Sequence, residues 1–472
     1  MSATPTEKIF SWILTLEESY PVEQWTINGV HIWPVLRNGL YTELWLNEWS
    51  KEKVQAASKE NSSTPKKTIP ATSKFKSVLF HIKGLCAFVQ FYITPLKKSN
   101  ALLSCYNYYK ATYEGKVYNK FFDPLRLDFP EYKNAYIVNF GGQANDVNDT
   151  IHLNDFTYIQ SLHNRISRRK KLEIKLERFD SFYEEIVNYS HHLKRFNLNF
   201  LREAFYSISK SAFIYSLLLK KTRAKEAIGV CYYEDSFELL GMNLAAYRLG
   251  IPSVDIQHGG QGAVHRAYAR FQKLPASGQY EILPKRFWCW EGNSAAEIEK
   301  WASKPGSKHE VIVGGQPWLS FIKRRVKKQE GADYIVLYTL QPYDELMSPV
   351  VIECMQKLGS DFKWVIRLHP RMLDRTTQLK NIFIVNKLDA FIHPETFGQL
   401  TLPETLAMSS VHVCRTSGSI IEAVLMDIPN VIIDPVGVTM YEHWIAEGKA
   451  TDATMMSAQE MAVFIRSLKS GK

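Results

Sequence analysis

The sequence predicts an α/β protein made of two doubly wound domains, each built on a mostly parallel sheet covered by helices. Short apolar runs of strand character alternate with stretches of helical spacing from residue 133 onward. A chain of 472 residues is also too long for one core of ordinary size, so we expect two domains of roughly 150–250 residues each.

The composition limits the classes of partner. Hydrophobic residues make up 45% of the chain and charged residues 22%, as in a globular protein. The net charge of +10 suits an anionic partner such as nucleic acid, anionic lipid, or a phosphorylated or acidic sugar. No nucleic-acid-binding motif occurs and the basic residues are spread out, so we expect no nucleic acid. The six cysteines show neither metal-site nor disulfide spacing, and we expect reduced cytoplasmic thiols.

The N-terminal region carries no recognisable motif. It lacks the basic start and long apolar run of a secretory signal. The stretch Ser50–Lys76 is polar and lysine-rich with two prolines, which predicts a mobile loop near residues 50–76. The most apolar segment, Val78–Leu96, is interrupted by polar residues, so we reject a membrane-spanning helix. A buried helix is favoured there over a helix on a membrane surface.

Strand and helix signals alternate through the middle of the chain. The run NAYIVNF predicts a strand, AIGVCYYED a second, a helix follows to Gly250, and IPSVDIQHGG predicts the next strand. Such units form parallel sheets, and ligands bind beyond the carboxyl ends of the strands. We therefore expect Glu234, Asp235 and the segment 257–260 to share one site.

The second half repeats this pattern. Strands are predicted in RFWCWEG, HEVIVGG, DYIVLYT, FKWVIRL, NIFIVN and VHVC, and each ends in polar or turn residues. We predict one domain over residues 1–284 and another over residues 285–472, with a hinge near Leu283–Phe287.

The turn CRTSGSIIEA is a candidate anion site. Gly418 lies among Thr416, Ser417 and Ser419, and a helix follows whose free N–H groups and dipole favour an anion. An ordinary serine N-cap would give the same pattern. Glu422, one turn into the helix, can accept hydrogen bonds from sugar hydroxyls, or it is an ordinary first-turn glutamate.

Two further strand ends offer hydrogen-bond donors. In RLHPR, His369 precedes a proline that fixes the turn, and Arg367 and Arg371 flank it. Imidazole and guanidinium groups both donate to phosphate. In YTLQPYDE, Thr339 and Gln341 are candidate contacts to a base or a phosphate, with a plain loop as the alternative.

These motifs, in chain order, resemble a known family. The series QHG, GGQPW, RLHPR and TSGSIIEA with DIPNVIIDP resembles nucleotide-sugar glycosyltransferases of the GT-B architecture, over about Ile228–Pro435. Within that group it resembles bacterial sialyl-, polysialyl- and Kdo transferases of capsule and lipopolysaccharide synthesis, which use CMP-activated acidic sugars. Glu234–Phe237 resembles an acidic pair followed by Gly-Phe in Kdo transferases, with Ser236 here in place of the glycine.

The resemblance implies two Rossmann-like domains facing a cleft. Residues 1–284 would be the acceptor side and residues 285–472 the donor-binding side. The implied reaction uses no metal and no cofactor, with the CMP-sugar as co-substrate. The leaving phosphate would then be stabilised by the Ser417–Ser419 turn, by His369 and by Arg367 or Arg371.

The reaction needs a carboxylate near the anomeric carbon. It would be a general base if configuration inverts, or a nucleophile if configuration is retained through an adduct. Asp235 is the first choice and Glu234 the second, and the resemblance to retaining β-Kdo transferases favours Asp235 as nucleophile. A helix N-cap is the alternative for Asp235. The fallback candidates are Asp146, Asp149 and Asp155.

The loop after IPSVDI is the predicted wall against the donor sugar. His258 is expected to approach the sugar carboxylate or the catalytic acid, unless it is a structural histidine. The glycines let the backbone approach the sugar closely. The predicted sugar contacts in this loop are Gln257, Gly259, Gly260 and His265.

The leading hypothesis is a cytoplasmic glycosyltransferase that moves an acidic sugar, with Kdo favoured, from its CMP ester to a bacterial surface glycan. The acceptor would be anionic or lipid-linked, with peripheral contact to the inner membrane. The alternatives keep the fold but use another donor: sialic acid transfer, a UDP-sugar transferase or epimerase, or CDP-polyol phosphotransfer. A non-enzymatic polyanion-binding protein is the remote alternative.

Overall fold

The computed structural model describes residues 5–56, 74–106, 108–140, 150–233, 237–259, 261–326 and 334–470. The chain divides into two compact units. The first comprises Met1–Tyr113 and Val117–Gly315, and the second comprises Glu114–Lys116 and Gln316–Lys472.

The first unit contains a seven-stranded parallel sheet in the order β12-β11-β10-β9-β3-β6-β7, with two small accessory sheets. The strands are β1 (Thr26–Ile27), β2 (Val30–His31), β3 (Ala101–Tyr106), β4 (Lys110–Tyr113), β5 (Lys116–Asn119), β6 (Tyr136–Phe140), β7 (Thr150–His152), β8 (Ile174–Lys175), β9 (Glu226–Val230), β10 (Ser253–Ile256), β11 (Arg286–Cys289) and β12 (Glu310–Val313). The helices are α1 (Pro5–Ser19), α2 (Trp33–Ala56), α3 (Lys74–Ile93), α4 (Phe122–Asp128), α5 (Thr157–Ser167), α6 (Phe179–Tyr189), α7 (Leu198–Thr222), α8 (Glu238–Leu249) and α9 (Gly292–Ala302).

The second unit contains a five-stranded parallel sheet in the order β14-β13-β15-β16-β17. Its strands are β13 (Tyr334–Thr339), β14 (Phe362–Arg367), β15 (Val411–Cys414), β16 (Asn430–Ile432) and β17 (Ala450–Asp452). Its helices are α10 (Pro317–Arg325), α11 (Pro349–Leu358), α12 (Thr376–Val385), α13 (Leu402–Met408), α14 (Ser419–Leu425), α15 (Pro435–Met440), α16 (Glu442–Ala446) and α17 (Ala458–Ser470). The predicted α/β class with two Rossmann-like domains is confirmed.

Each sheet has a point where the strand order reverses. In the second unit the chain runs from β13 to β14 on one side and returns to β15 on the other. In the first unit it runs from β3 through β6 to β7 and returns to β9 on the other side of β3. Crevices beyond the carboxyl ends of the strands at such switch points are where ligands bind in this class of fold.

The predicted domain boundary at residue 284 is wrong. Strand β11 pairs in parallel with β10, with Arg286 opposite Val254, and β12 pairs with β11. The first unit therefore continues to Gly315, and no hinge lies at Leu283–Phe287. The runs RFWCWEG and HEVIVGG have the same apolar pattern as strands of the second sheet, so the pattern alone did not assign them to a domain.

Two predicted elements differ from the structure. The run NIFIVN forms the end of helix α12 and not a strand, with Ile384 and Val385 exposed. The ends of the predicted loop at 50–76 belong to α2 and α3, and residues 57–73 lie outside the described part of the chain.

Helix α3 is not the buried helix that its composition predicts. Phe88 and Phe91 lie on the side of the helix that packs against the core of the first unit. Among the side chains of this helix that the structure describes, the exposed apolar ones include Ile82, Leu85, Val89, Tyr92 and Ile93. Within the described ranges, no helix is both long and apolar enough to cross a membrane.

A buried ion pair holds the two N-terminal helices together. The side chains of Glu17 in α1 and Arg37 in α2 are each 1% exposed, and Arg37 Nε donates to Glu17 Oε1 over 2.9 Å. The indole Nε1 of Trp33 donates to the same oxygen over 2.8 Å, and the backbone N–H of Gln272 donates to Oε2 over 2.8 Å.

The same arginine reaches the loop that follows β10. Its Nη1 donates to the carbonyl oxygen of Arg266 over 2.6 Å, and its Nη2 donates to that of Ala269 over 2.5 Å. Arg37 also lies over the ring of Phe271, with its guanidinium carbon 4.1 Å from the ring centroid. Both carboxylate oxygens of Glu17 and all three nitrogens of the Arg37 guanidinium are therefore hydrogen-bonded within the protein. Such hydrogen bonds offset the free energy that is lost when the two charges leave water.

Replacing Arg37 by leucine should lower the free energy of unfolding by about 3–5 kcal/mol, because it leaves the Glu17 carboxylate buried without its counter-ion. Urea denaturation followed by circular dichroism measures this loss. The double variant Arg37→Leu with Glu17→Gln removes the buried charge and keeps one acceptor oxygen, which serves either the Trp33 indole or the Gln272 N–H. It should be more stable than Arg37→Leu alone, and equal stability would show that the uncompensated charge is not the cause.

Candidate functional site

The carboxyl ends of three neighbouring strands are aligned in the second sheet. Thr339 at the end of β13 lies opposite Arg367 at the end of β14 and opposite Cys414 at the end of β15. The segments that follow, with Gln341 on one side and Thr416 on the other, therefore emerge together at the switch point. The sequence-predicted residues of these two loops are brought together.

Gln341 holds the turn that follows β15. Its Oε1 accepts the backbone N–H of Thr416 over 2.7 Å, and its Nε2 donates to Thr416 Oγ1 over 2.6 Å. The hydroxyl of Tyr343 lies 2.9 Å from the same threonine oxygen. The Gln341 amide is thus engaged with the turn, and it positions Thr416.

A buried histidine supports the hydroxyl groups of this site. His412 in β15 is fully buried, and its Nε2 lies 2.9 Å from Thr339 Oγ1 and 3.1 Å from Ser419 Oγ. Burial lowers the pKa of His412 to about 4, although its hydrogen bond to Asn430 acts in the opposite direction. The imidazole is therefore neutral at neutral pH.

The tautomer of His412 follows from its partner. The Nδ2 of Asn430 donates to the carbonyl oxygens of Ile428 and Lys449, at 2.7 and 3.3 Å, so Oδ1 is the Asn430 atom that faces the imidazole. It lies 2.7 Å from His412 Nδ1, which must then carry the proton. Nε2 is consequently an acceptor for the hydroxyl cluster.

The arrangement of hydrogen-bond donors and acceptors that begins at His412 extends to Ser417 at the surface of the turn. Ser419 Oγ donates to Ser417 Oγ over 2.7 Å, and Thr339 Oγ1 lies 2.9 Å from Ser419 Oγ. With the Ser419 proton used in this way, Thr339 supplies the proton for His412 Nε2. The hydroxyl proton of half-buried Ser417 is then directed away from the cluster, where a ligand oxygen can accept it.

Three of the backbone N–H groups that the predicted cradle would offer are used within the turn itself. The N–H of Ser419 donates to Ser417 Oγ over 3.3 Å, that of Ile420 to the Ser417 carbonyl over 3.2 Å, and that of Ile421 to the Gly418 carbonyl over 3.0 Å. Helix α14 is also only seven residues long. The hydroxyl groups of Thr416 and Ser417 are therefore the side-chain donors that this turn offers, and the N–H groups of Ser419, Ile420 and Ile421 add none.

Arg367 is engaged within the second unit. Its Nη1 donates to the carbonyl oxygen of Leu400 over 2.8 Å and lies 3.3 Å from Thr405 Oγ1. Burial lowers the pKa of Arg367, against the opposing charges of three glutamates that include Glu422. The guanidinium remains charged, since arginine does not lose its proton in proteins.

Other basic residues lie near the carboxyl ends of β14 and β15. His369 is half-buried just beyond β14, and the side chain of Arg371 lies outside the described residues. Arg415, a residue that the sequence motifs do not single out, directly precedes the turn. It pairs with Glu345 and lies over the ring of Tyr343, with its guanidinium carbon 5.1 Å from the centroid.

In the first unit, Gln257 is a structural residue and not an available sugar contact. Its side chain is buried, its Oε1 accepts the N–H of Trp290 over 2.7 Å, and its Nε2 lies 2.8 Å from the Gly259 carbonyl and 3.1 Å from Ser294 Oγ. All its polar atoms are used within the protein, which fixes the start of the loop after β10. Gly260 lies outside the described residues.

His258 sits above the switch point of the first sheet. Its ring centroid is 5.3 Å from that of Tyr109, which follows β3. Burial lowers the pKa of His258, and Lys120 acts in the same direction. A neutral imidazole at this strand end can donate one N–H to a ligand.

His265 is farther inside the same loop. Burial lowers its pKa to about 3, with Arg266, Arg37 and His258 acting in the same direction. The N–H of Ala267 donates to His265 Nδ1 over 3.3 Å, so the proton of the neutral ring is on Nε2.

The predicted catalytic carboxylates, Glu234 and Asp235, lie outside the described residues, as do Asp146 and Asp149. Cys231 and Phe237, on either side of the first pair, have φ of +63° and +59°. Such values are strained for residues other than glycine and concentrate at functional sites. Asp155 is exposed beyond β7, two strands away from β3, so this fallback candidate is far from the switch point.

Comparisons with known proteins find similarity only to solved structures, at low sequence identity. No protein-family model and no curated protein matches the chain. Among solved structures, UDP-GlcNAc 2-epimerase from Neisseria meningitidis bound to UDP-GlcNAc is 14% identical, covering 78% of this chain and 91% of that chain, with a TM-score of 0.43. UDP-GlcNAc 2-epimerase from Methanocaldococcus jannaschii is 10% identical over 78% and 91%, with a TM-score of 0.40. A glycosyltransferase from Rickettsia africae is 12% identical over 79% and 88%, with a TM-score of 0.39.

Acidification should destabilise the protein through His412. Its folded pKa of about 4 lies below the ordinary value of 6.5, so between these values only the unfolded chain binds the proton. Stability is therefore fully present above pH 6.5 and falls towards pH 4, by up to about 3 kcal/mol from this residue. Denaturation curves at pH 7.5 and 4.5 should show a smaller loss in His412→Gln than in the wild type. The same loss in both proteins would contradict this role.

Proposed function

We propose that the protein is a glycosyltransferase that moves an acidic sugar, with Kdo favoured, from its CMP ester to a bacterial surface glycan. The observation that carries the proposal is the set of hydroxyl donors held at the switch point between β13 and β15. Ser417 is oriented by the buried His412 network, and Thr416 by Gln341. Donors held in place before the reaction stabilise a charge that develops on a leaving phosphate.

The chemistry of the turn favours a donor with one phosphate. The N–H groups at the start of α14 are used internally, so a few hydroxyl groups replace the many N–H donors that cradle diphosphates. CMP-sugars carry a single phosphate, whereas UDP- and CDP-linked donors carry two. This supports a CMP-sugar, which includes CMP-sialic acid as well as CMP-Kdo, over the UDP- and CDP-linked alternatives.

The proposed transfer breaks the bond between the anomeric carbon and the phosphate oxygen, and CMP leaves with the electron pair. The hydroxyl of Ser417 and the side chains of His369 and Arg371 would stabilise that phosphate. In the retaining course a carboxylate oxygen of Asp235 first bonds to the anomeric carbon as CMP leaves. The acceptor hydroxyl then bonds to that carbon, the Asp235 carboxylate leaves with the electron pair, and the hydroxyl proton passes to the CMP phosphate. In the inverting course the carboxylate takes the proton directly from the acceptor hydroxyl. No step requires a metal.

The first unit would hold the sugar. His258 can donate an N–H to the sugar carboxylate, and the space beside Gly259 is open to a ligand, since a Cβ built there would meet no described atom within 4 Å. Glu234 remains the second candidate for the catalytic carboxylate.

Incubation with CMP-Kdo, and separately with CMP-sialic acid, tests this proposal. Release of CMP should occur with one of these donors, and a retaining course would add the mass of one sugar to the protein. Asp235→Ala should abolish turnover, because the carboxylate assigned to the anomeric carbon is then missing. Asp155→Ala is the matched control and should keep the wild-type rate. A near-normal rate in Asp235→Ala would refute the catalytic assignment, and inactivity with both donors would refute the donor class.

Helix α3 is the proposed contact with the membrane that carries a lipid-linked acceptor. Its exposed apolar side chains recur at helical spacing, and residues 61–113 contain eight lysines and no acidic residue. An apolar helix face in a basic segment lies in the interface of an anionic bilayer.

Replacing Leu85 and Val89 by serine should weaken binding to phosphatidylglycerol vesicles about tenfold or more, because each side chain loses apolar area that the bilayer would bury. Co-sedimentation measures the partition coefficient. Serine at Leu127 and Val463, two exposed apolar positions outside α3, serves as the control. Equal partitioning of all three proteins, or none, would contradict the contact.

A further inference from the structure

A cavity of about 370 Å³ lies within the first unit, beside the end of β9. Helix α2 forms one wall, the residues before and at the start of α7 form another, and the segment after β9 forms a third. Most of the lining is apolar or aromatic, including Phe196, Tyr233 and Phe237. Cavities of this size and character, with a few polar groups, are typical of binding sites for small molecules.

The charged groups of the cavity leave one cation available. Glu43 and Arg195 both line it, and they neutralise each other with Arg195 Nη2 at 2.8 Å from Glu43 Oε2. Arg266 lies over the ring of Tyr233, with its guanidinium carbon 5.3 Å from the centroid. Among the described residues, no carboxylate lies within ion-pair distance of Arg266. This guanidinium can therefore receive the anionic group of a ligand.

A second polar group on the wall is also unused. Asn38 in α2 donates through Nδ2 to the carbonyl oxygen of Tyr233 over 3.0 Å, which orients the amide. Its Oδ1 is buried and, among the described residues, accepts no hydrogen bond. A buried acceptor without a partner costs free energy, and a ligand hydroxyl at the wall would relieve that cost.

The walls are held in place by the packing of α2. A Cβ at Gly39 would come within 2.5 Å of Cε1 of Phe196, so glycine lets this ring close one side of the cavity. On the other side, Arg37 holds the carbonyl oxygen of Arg266. The cavity is therefore formed before any ligand arrives.

We propose that this cavity binds an amphipathic anion, with an apolar body among the aromatic rings and a phosphate or carboxylate on Arg266. As a substrate site it rests on the proposed function, in which it would take the acceptor. Tyr233 and Phe237 line it, and Glu234 and Asp235 stand between them in the sequence. An anionic, lipid-linked acceptor has the required combination of apolar and charged parts.

Calorimetric titration with decyl phosphate below its micelle concentration tests the cavity. We expect binding to the wild type, a loss of about tenfold or more in Arg266→Gln, and no binding in Thr42→Phe, whose ring would fill the space. Arg270→Gln is the matched control, because Arg270 is exposed in the same loop and does not line the cavity. Decyl maltoside and inorganic phosphate, which each lack one half of the ligand, should bind much more weakly.

Equal affinity of decyl phosphate for the wild type, Arg266→Gln and Thr42→Phe would overturn the proposal, because contact with the exposed face of α3 would behave in that way. Arg266→Gln keeps the test valid if Thr42→Phe fails to fold. CMP affinity, measured on the same proteins, separates the two proposals and should be unchanged in Arg266→Gln. Decyl phosphate binding that depends on Arg266 in a protein that does not bind CMP would retain the cavity and refute the transferase function.

Discussion

The buried Glu17–Arg37 ion pair determines the shape of the first unit around its switch point. It joins α1 to α2 and, through the carbonyl oxygens of Arg266 and Ala269, attaches both helices to the loop after β10. Because the arginine donors reach backbone oxygens, the pair fixes the path of the loop and not only the positions of side chains. The cavity wall, the position of Arg266 and the surroundings of His265 all depend on that path. Helices α1 and α2, in which the sequence shows no motif, thus shape the cavity and the loop after β10 in the first unit.

The second unit has its own buried polar centre. His412 is kept neutral by burial, its tautomer is assigned by Asn430, and the hydroxyl groups of Thr339, Ser419 and Ser417 are ordered outward from it. A turn built in this way presents oriented hydroxyl groups in place of backbone N–H groups. Such donors need little reorganisation when a negative charge develops near them, which is what the departure of a phosphate requires.

The sequence was informative where a local pattern decides the outcome. Buried strands followed by polar turns predicted both parallel sheets and brought Thr339, Gln341 and the Thr416–Ser419 turn to one edge. The pattern of β11 and β12 does not show which sheet they join, since pairing is decided by strands far away in the chain. The β-branched residues of NIFIVN favour a strand, yet they lie on a helix, where Ile384 and Val385 are exposed.

The contacts that the sequence missed are long-range. Glu17 and Arg37 meet a loop more than 200 residues later, and a histidine inside an apolar strand such as VHVC is ordinarily a satisfied core residue. Gln257 looked like a ligand contact because of the glycines beside it, but its amide is buried among backbone groups. The position of Arg415 directly before the serine turn is, in contrast, a local signal that the sequence itself contains.

The most direct test of the account is calorimetric titration of CMP, CDP and UDP into the wild type and Ser417→Ala, with Ser467→Ala, on the exposed face of α17, as control. CMP should bind the wild type and the control equally. It should bind Ser417→Ala about tenfold more weakly, because one hydrogen bond to a charged phosphate is lost. Binding of only CDP or UDP, or equal CMP affinity for Ser417→Ala, would contradict a single-phosphate site at this turn.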